Sequence, residues 1–297
     1  MAAKTVLITG CSKGGIGYAL AKAFNAQGCK VYATARRLES MNGLSDLGIG
    51  TLKLDVNSAE SVDKLKSIIE EKTGGTLDFL VNNAGIGYTT PLADVDIDQA
   101  RNLFETNLIS VMQMVKSFHK LLIASKGTII NIGSIGAFLP SPFGGVYNAS
   151  KAALLSYGDA LRIEMEPFDV HVQTIITGAI KSNIANNAAA RYSLPSDSIF
   201  APITSFVEAR LNASQTNGPL DTDVYARDVV RQALFPPRSL WALGGRVRRP
   251  YYWRGGLSDI TRFIRRFLPM NFWDFILAYK FGLNVLNRKL RDGKKDL

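Results

Sequence analysis

Short apolar segments alternate with segments of helical periodicity through most of the chain. KTVLITG at 4–10 is a β-branched apolar run, GIGYALAKAFNAQG at 15–28 has helical spacing, and KVYATAR at 30–36 is apolar again. This order predicts a βαβ unit. Further strands are predicted at 50–54, 77–81, 128–132 and 170–176, and further helices at 58–71, 97–122 and 146–166. Such alternation is typical of an α/β fold in which helices cover both faces of a parallel sheet.

Charge divides the chain into a neutral body and a basic C-terminal segment. From Arg238 onward there are 14 Lys and Arg against 4 Asp and Glu, whereas the preceding residues hold 21 of each sign. A length of 297 residues with 46% hydrophobic composition suits one α/β domain with an extension. We therefore predict a domain over residues 1–245 and a basic, aromatic helical extension over residues 246–297.

The first predicted strand ends in a glycine-rich turn, TGCSKGGIG, at residues 9–17. Parallel α/β sheets bind ligands beyond the carboxyl ends of their strands. Glycines there allow a phosphate to approach the backbone closely, and the following helix offers free amide groups and the positive end of its dipole. The turn indicates a dinucleotide site, with an ordinary strand-to-helix connection as the alternative.

Arg36 and Arg37 end the second predicted strand, where a dinucleotide with a free ribose hydroxyl usually meets an Asp or Glu. A guanidinium instead pairs with a phosphate through two parallel hydrogen bonds. Lys13, inside the glycine-rich turn, is a second candidate partner for such a phosphate. These residues favour NADPH over NADH, and solvated surface arginines are the alternative.

The YNASK motif, Tyr147 to Lys151, begins a long helical pattern. Residues four apart lie on one helix face, so the phenol and the ammonium can share one site. A phenol with a pKa of ~10 is a poor acid or base at neutral pH. An adjacent lysine and a cationic nicotinamide are expected to lower that pKa. A surface pair with the same spacing is the alternative.

Over residues 4–243 the chain resembles the short-chain dehydrogenase/reductase family. Beside the glycine-rich turn and YNASK, the matching motifs are LDV at 54–56, NNAG at 82–85, Asn107, and NIGS at 131–134. The resemblance implies a Rossmann-type doubly wound sheet of about seven strands. It also implies that residues 1–245 form the dinucleotide-binding and catalytic domain of an NADP-dependent enzyme that acts on CH–OH/C=O groups.

The resemblance implies a catalytic set of Asn107, Ser134, Tyr147 and Lys151. Ser134 would hydrogen-bond the substrate carbonyl, while Tyr147 would donate a proton to the developing alkoxide as hydride arrives from the nicotinamide. Lys151 would hold the ribose and lower the pKa of Tyr147, and Asn107 would hold a water that relays protons to Lys151. No metal is expected.

Cofactor contacts are expected from the ends of several strands. Asp55 and Val56 would contact the adenine, residues 82–85 would line the cofactor site, and Ser12 would join Lys13 and Arg36 at the 2′-phosphate. The individual residues expected to contact the cofactor are Gly10, Ser12, Lys13, Gly15, Ile16, Gly17, Arg36, Arg37, Asp55, Val56, Asn82, Ala84, Gly85, Tyr147, Lys151, Gly178, Ile180 and Ser182.

Two positions depart from the family pattern. Gly10 and Gly15 enclose four residues where the family usually has three, and Thr177 precedes Gly178 where the family usually has proline. Gly178 is still expected to permit close approach to the nicotinamide, and Ser182 to replace the usual threonine hydroxyl.

Within the family, the turn, VYATARR at 31–37 and the basic tail are similar to fungal NADPH-dependent 1-acyldihydroxyacetone-phosphate reductases. That similarity implies a hydrophobic ketone substrate and a site at the cytosolic face of the endoplasmic reticulum or on lipid droplets. Ketoreductases of polyketide, terpenoid or steroid skeletons share the core motifs and are the alternative. A cofactor-binding regulatory protein is the non-enzyme alternative, against which the complete catalytic set argues.

Residues 183–211, which normally build the substrate pocket, are expected to form a lid. A phosphate substrate requires a basic residue near this region, and Lys181, Arg191 and Arg210 are the candidates. Solvated helix charges are the alternative for all three.

The extension contains NFWDFILAYKFGL at 271–283. On one helix, an apolar stripe would be formed by Phe272, Phe275, Ile276, Tyr279, Leu283 and Leu286. Polar residues interrupt the run of about 20 apolar residues that a bilayer span needs. Aromatic residues among arginines favour contact with an anionic membrane surface or a lipid droplet. Packing on the body or in a homo-oligomer interface is the alternative, and nucleic-acid binding is not expected because the body is neutral.

The cysteines and the N-terminal segment bear on location. Cys11 and Cys29 are too few for a disulfide framework, which favours a reducing compartment. MAAKTVLITG lacks the basic and apolar regions of a cleaved signal. We therefore expect an intracellular enzyme, cytoplasmic if it is not attached to a membrane.

Overall fold

A seven-stranded parallel sheet forms the centre of the protein. The computed structural model describes residues 2–190, 192–236, 249–269 and 271–292. Its strands are β1 (Thr5–Ile8), β2 (Lys30–Ala35), β3 (Gly50–Lys53), β4 (Phe79–Asn82), β5 (Thr128–Ile132), β6 (His171–Thr177) and β7 (Tyr251–Arg254). Their order is β3-β2-β1-β4-β5-β6-β7. Because the order reverses between β1 and β4, the predicted doubly wound, Rossmann-type fold is confirmed.

Helices cover both faces of the sheet. They are α1 (Ile16–Ala26), α2 (Ala59–Thr73), α3 (Ile97–Phe104), α4 (Ser110–Ser125), α5 (Gly145–Met165), α6 (Ile184–Ala189), α7 (Thr204–Leu211), α8 (Ala213–Thr216), α9 (Thr222–Leu234), α10 (Ser258–Phe267), α11 (Phe272–Lys280) and α12 (Leu283–Asp292). Val6 and Ile8 of β1 pack with Phe24 and Tyr225, which belong to α1 and α9. Leu7 points to the other face, where α2, α4 and α5 supply the packing. Both faces of β1 are therefore buried, which explains its continuous apolar sequence.

β7 lies within the segment that was assigned to the extension. The predicted boundary between residues 245 and 246 falls outside the described residues, and β7 follows it as an edge strand paired with β6. The chain then turns back beside Gly178, where a methyl group would lie only 2.1 Å from the carbonyl oxygen of Gly256. Gly178 thus leaves room for the chain's own backbone.

The predicted long helix over 97–122 is interrupted. A π-helical turn, Glu105–Ile109, separates α3 from α4 and contains Asn107. Such turns often occur at functional sites because the irregular ladder redirects a side chain.

The tail does not form one helix with one buried stripe. Gly282, at φ 72°, separates α11 from α12. Phe275 is 82% exposed and Tyr279 is 68% exposed, so the predicted stripe faces largely away from the protein. Of the predicted stripe, Leu286 is buried, and it packs with Leu277, Phe281, Phe143, Ile203 and Val207; these six residues are called the C-terminal cluster below. Of the helices in the described ranges, none has the length and apolarity that a bilayer span requires.

Candidate active site

The carboxyl ends of the strands gather most of the residues predicted to bind the cofactor. The glycine-rich turn follows β1, Arg36 and Arg37 follow β2, and Asp55 and Val56 lie just beyond β3. Residues 83–85 follow β4, Ser134 lies beyond β5, and residues 178–182 follow β6. The parallel sheet therefore brings them to one edge, as expected for this fold.

Thr9 and Asn83 join the glycine-rich turn to the neighbouring strand end. The Thr9 hydroxyl accepts hydrogen bonds from the backbone N–H groups of Asn83 and Ala84, each at 3.0 Å. Asn83 Nδ2 donates to the carbonyls of Thr9 and Gly10 at 2.8 and 2.9 Å. Gly10 has φ 75°, and a methyl group on it would lie 2.8 Å from Ala84 Cα. Thr9 was not among the predicted contacts, although it lies inside the motif TGCSKGGIG, whereas Asn83 belongs to the segment 82–85 that was expected to line the cofactor site.

The glycine-rich turn also contacts the end of β2. Ser12 Oγ hydrogen-bonds Ser40 Oγ at 3.1 Å, and the Lys13 backbone N–H donates to the Ser40 carbonyl at 2.7 Å. Arg36 and Arg37 are exposed beside this contact, and neither forms an ion pair with a described acidic residue. The ends of β1 and β2 thus place hydroxyls and free cations together, which fits a phosphate monoester.

Gly15, Ile16 and Gly17 begin α1. Gly15 is the residue before the helix and caps it with no side-chain hydrogen bond, so the first amide groups of α1 are available to an anion. A methyl group on Gly17 would lie 2.6 Å from the Gly10 carbonyl oxygen. Only glycine therefore lets α1 start this close to β1.

The predicted contacts at the ends of β3 and β4 differ in burial and in hydrogen-bond partners. Asp55 and Val56 are partly buried, and Asp55 Oδ1 accepts a hydrogen bond from the Asn57 backbone at 3.1 Å. The Asn82 side chain is buried and donates across the sheet to Asn131 Oδ1 at 2.9 Å. Asn82 was a predicted cofactor contact, and its side chain points into the sheet.

Asn107 ties the segment after β4 to α5. Its Oδ1 accepts from the Ile86 backbone N–H at 2.9 Å, and its Nδ2 donates to the Ile86 carbonyl at 3.0 Å and to Ser150 Oγ at 3.1 Å. Gly85 lies beside this amide, where a methyl group would be 3.2 Å from Asn107 Oδ1 and 3.7 Å from Lys151 Nζ. Asn107 thereby holds the backbone of residues 85–86 beside Lys151.

Ser134, Tyr147 and Lys151 lie together at the start of α5. Lys151 Nζ donates to the Ile132 carbonyl at 2.9 Å and lies 5.9 Å from the centre of the Tyr147 ring. Ser134 is buried, and its hydroxyl accepts from the Gly136 backbone N–H at 3.0 Å. The structure therefore brings all four residues of the predicted catalytic set into one cluster.

The protein's own groups leave the Tyr147 phenol protonated at neutral pH. Burial raises the pKa of Tyr147 above its ordinary value, against smaller lowering effects from the Ser134 hydroxyl and the Arg210 charge. Burial also lowers the pKa of Lys151 from 10.5 to about 8. Among the protein's own groups, desolvation outweighs the lowering effects, and the lowering expected from Lys151 together with a cationic nicotinamide stays a prediction. A protonated phenol suits a proton donor in ketone reduction.

The segment after β6 reaches back to the glycine-rich turn. Asn183 Nδ2 donates to the Lys13 carbonyl at 3.0 Å, and its backbone N–H donates to the Gly14 carbonyl at 3.3 Å. Ile180 is buried in the core, and Ser182 is partly buried. Asn183 was not among the predicted contacts, and no sequence pattern distinguishes it from its polar neighbours.

Of the three basic residues considered for a substrate phosphate, one lies at the catalytic cluster. Lys181 is exposed, and Arg191 lies outside the described residues. Arg210 of α7 reaches Gly144, the residue before α5, where a methyl group would lie 2.6 Å from Arg210 Nη2.

Sequence comparison matches the family that the motifs suggested. A family model for short chain dehydrogenases covers residues 4–193. Short-chain dehydrogenase virD of Hypocrea virens is 40% identical over 295 residues, which are 99% of this chain and 98% of that protein. An NADPH-dependent 1-acyldihydroxyacetone phosphate reductase of Schizosaccharomyces pombe is 43% identical over 204 residues, or 68% of this chain and 69% of that protein.

Solved structures share the fold. A short-chain dehydrogenase from Streptomyces avermitilis aligns with a TM-score of 0.74 at 24% identity, over 97% of this chain and 98% of that one. A short-chain dehydrogenase from Burkholderia cenocepacia, solved in complex with NADP, aligns with a TM-score of 0.63 at 23% identity. The alignment covers 89% of this chain and 92% of that one. Together, the family model and the relatives that align along almost the whole chain show that the chain belongs to the short-chain dehydrogenase family and is an oxidoreductase.

Proposed function

We propose that the protein is an NADPH-dependent carbonyl reductase that acts on the ketone of a hydrophobic, acylated substrate, with 1-acyldihydroxyacetone phosphate as the leading candidate. The observation that carries the proposal is the cluster of Ser134, Tyr147 and Lys151, in which a protonated phenol lies between a hydroxyl and an ammonium. That arrangement suits protonation of a developing alkoxide.

NADPH fits the described edge of the sheet. The glycine-rich turn and the amide groups at the start of α1 would hold the pyrophosphate. Ser12, Lys13, Arg36 and Arg37 would hold the 2′-phosphate, and the lack of an acidic residue directly after β2 disfavours NADH. When bound, NADPH supplies the hydride that reduces the ketone. Two named relatives support the cofactor, the Schizosaccharomyces pombe reductase and the Burkholderia cenocepacia complex with NADP.

The chain's own residues supply orientation and protons. Ser134 Oγ would donate a hydrogen bond to the substrate carbonyl and so hold it beside Tyr147. The Tyr147 hydroxyl would give its proton to the carbonyl oxygen, and the Lys151 ammonium would stabilise the phenolate that remains. Asn107, through its bonds to Ile86 and Ser150, would keep Lys151 and its surroundings in place.

Aromatic side chains lie beside the start of α5. Phe143 lies two residues before α5 and belongs to the C-terminal cluster, and Phe200 and Phe281 pack edge-on against its ring. The support for a hydrophobic, acylated substrate comes from the relatives. The name of the Schizosaccharomyces pombe relative supports 1-acyldihydroxyacetone phosphate specifically.

A ketone panel tests the substrate class. We expect NADPH consumption to be fastest with 1-palmitoyl-dihydroxyacetone phosphate when it is compared with a steroid ketone and a polyketide-like ketone at equal concentration. The comparison is made on kcat/KM, with a Tyr147→Phe preparation as the blank for each ketone. If only the steroid or the polyketide-like ketone is reduced, the lipid substrate is wrong. The enzyme is then a ketoreductase of polyketide, terpenoid or steroid skeletons.

We also propose that the tail contacts an anionic membrane surface. Phe263 and Phe267 of α10 are 58% and 61% exposed, and Phe275 of α11 is 82% exposed. Exposed Arg262, Arg266 and Lys280 lie on the same two helices. Exposed aromatic rings beside basic residues are typical of interfacial helices, and each basic residue adds about 1 kcal/mol near anionic lipid.

Liposome flotation tests this surface. We expect Phe275→Glu to reduce flotation with phosphatidylserine-containing vesicles, because a carboxylate replaces the most exposed of the described aromatic rings in the tail. Leu47→Glu is the matched control, since Leu47 is also exposed but lies far from the tail in sequence. Point changes are preferable to truncation, because removing Leu277 and Phe281 also strips the C-terminal cluster. Equal flotation of both variants and the wild type would contradict the proposal.

A further inference from the structure

Arg210 is an arginine whose charge has no acidic partner among the described residues. It forms no described salt bridge, and its Nε is inaccessible to solvent and has no hydrogen-bond partner within the described chain. A buried guanidinium nitrogen without an acceptor costs free energy, so such groups usually serve a ligand or a structural contact.

The packing of α7 places this guanidinium beside the start of α5. Val207, one turn earlier on α7, is fully buried with Phe143 in the C-terminal cluster. Residues three apart share a helix face, so the same packing directs Arg210 toward the start of α5. There the absent side chain of Gly144 leaves the space into which Nη2 reaches. Tyr147 lies in the first turn of that helix, three residues after Gly144.

The Arg210 charge affects the pKa of Tyr147, the proposed proton donor. It lowers the pKa of Tyr147, and the phenol in turn opposes the lowering of the Arg210 pKa by burial. Arg210 Nη2 lies at Gly144, three residues before Tyr147, so the guanidinium and the proton donor share the same end of α5.

We propose that Arg210 binds an anionic group, a phosphate or a carboxylate, carried by the substrate beside its ketone. The inference rests on the proposed reductase function and extends it to a substrate whose ketone lies beside an anionic group held at Arg210. Guanidinium suits this role because its fork of donors pairs with phosphate or carboxylate oxygens in a bidentate way.

Paired substrates separate recognition from catalysis. With Arg210→Gln, we expect kcat/KM for 1-palmitoyl-dihydroxyacetone phosphate to fall roughly 10- to 150-fold, the range for loss of a hydrogen bond to a charged group. For the dephosphorylated ketone, kcat/KM should change less than about 3-fold, because that substrate has no anion to lose. Arg210→Lys should recover part of the loss, and Arg288→Gln, which removes an exposed arginine of α12, should have no effect. Equal losses on both ketones, or none on either, would overturn the proposal.

A binding measurement keeps Arg210 testable if the enzyme reduces neither ketone, an outcome that would defeat the proposed substrate. Calorimetric titration of the NADP+-saturated protein with decyl phosphate should show about 10-fold weaker binding after Arg210→Gln. Decanol is the neutral control and should bind both forms alike. Identical decyl phosphate affinities in the wild type and the variant would refute the anion site whatever the ketone results are.

Discussion

Replacing Tyr147 with phenylalanine is expected to lower kcat for ketone reduction by about 10²- to 10⁴-fold, the usual contribution of a positioned general acid. The change removes only the hydroxyl and keeps the ring beside Lys151. NADPH affinity should therefore stay close to that of the wild type. Single-turnover reduction monitored at 340 nm, together with NADPH titration by fluorescence, measures the two effects separately.

Tyr157→Phe is the matched control for this experiment. Tyr157 lies on the same helix, is partly buried and packs against the core away from the catalytic cluster. It loses the same hydroxyl, so a general weakening of α5 would slow both variants. If the Tyr147 variant keeps the wild-type rate, proton donation does not come from this phenol and the mechanism is wrong.

The second large effect concerns cofactor choice. Arg36→Asp should lower kcat/KM for NADPH roughly 100-fold and affect NADH much less, because a carboxylate repels the 2′-phosphate and can accept bonds from a ribose hydroxyl. The ratio of the two kcat/KM values is measured with one ketone at fixed concentration. Arg288→Asp makes the same charge change on the exposed surface of α12. A parallel fall with both cofactors would show that Arg36 does not distinguish them.

The strands at the centre of the sheet could be predicted because both of their faces are buried. β5, for example, occupies residues 128–132 as expected, and each of its side chains is buried. β7 was not predicted, since its four residues are only half-buried and include an arginine. β7 is a strand because it pairs with β6, and this contact between residues distant in sequence is not visible in the local pattern.

The tail shows why periodicity alone could not assign its faces. Apolar residues lie all around α11, so several stripes were available, and tertiary contacts selected Leu277 rather than Phe275. Gly282 was a visible signal for the break between α11 and α12. Arg210 could be named from the sequence as one of three candidates, but only the packing of α7 brings it beside Gly144.

Lys151 gives the active site a measurable influence on stability. It is only 6% exposed, and burial holds its pKa at about 8, whereas the ordinary value is 10.5. The unfolded chain therefore binds this proton more tightly, and at pH 7 the folded state is disfavoured by up to about 3 kcal/mol. Because the pKa is lowered on folding, this penalty is complete below pH 8 and fades as pH rises toward 10.5. A bound ligand whose oxygen accepts a hydrogen bond from the Lys151 ammonium is therefore expected to offset part of this penalty.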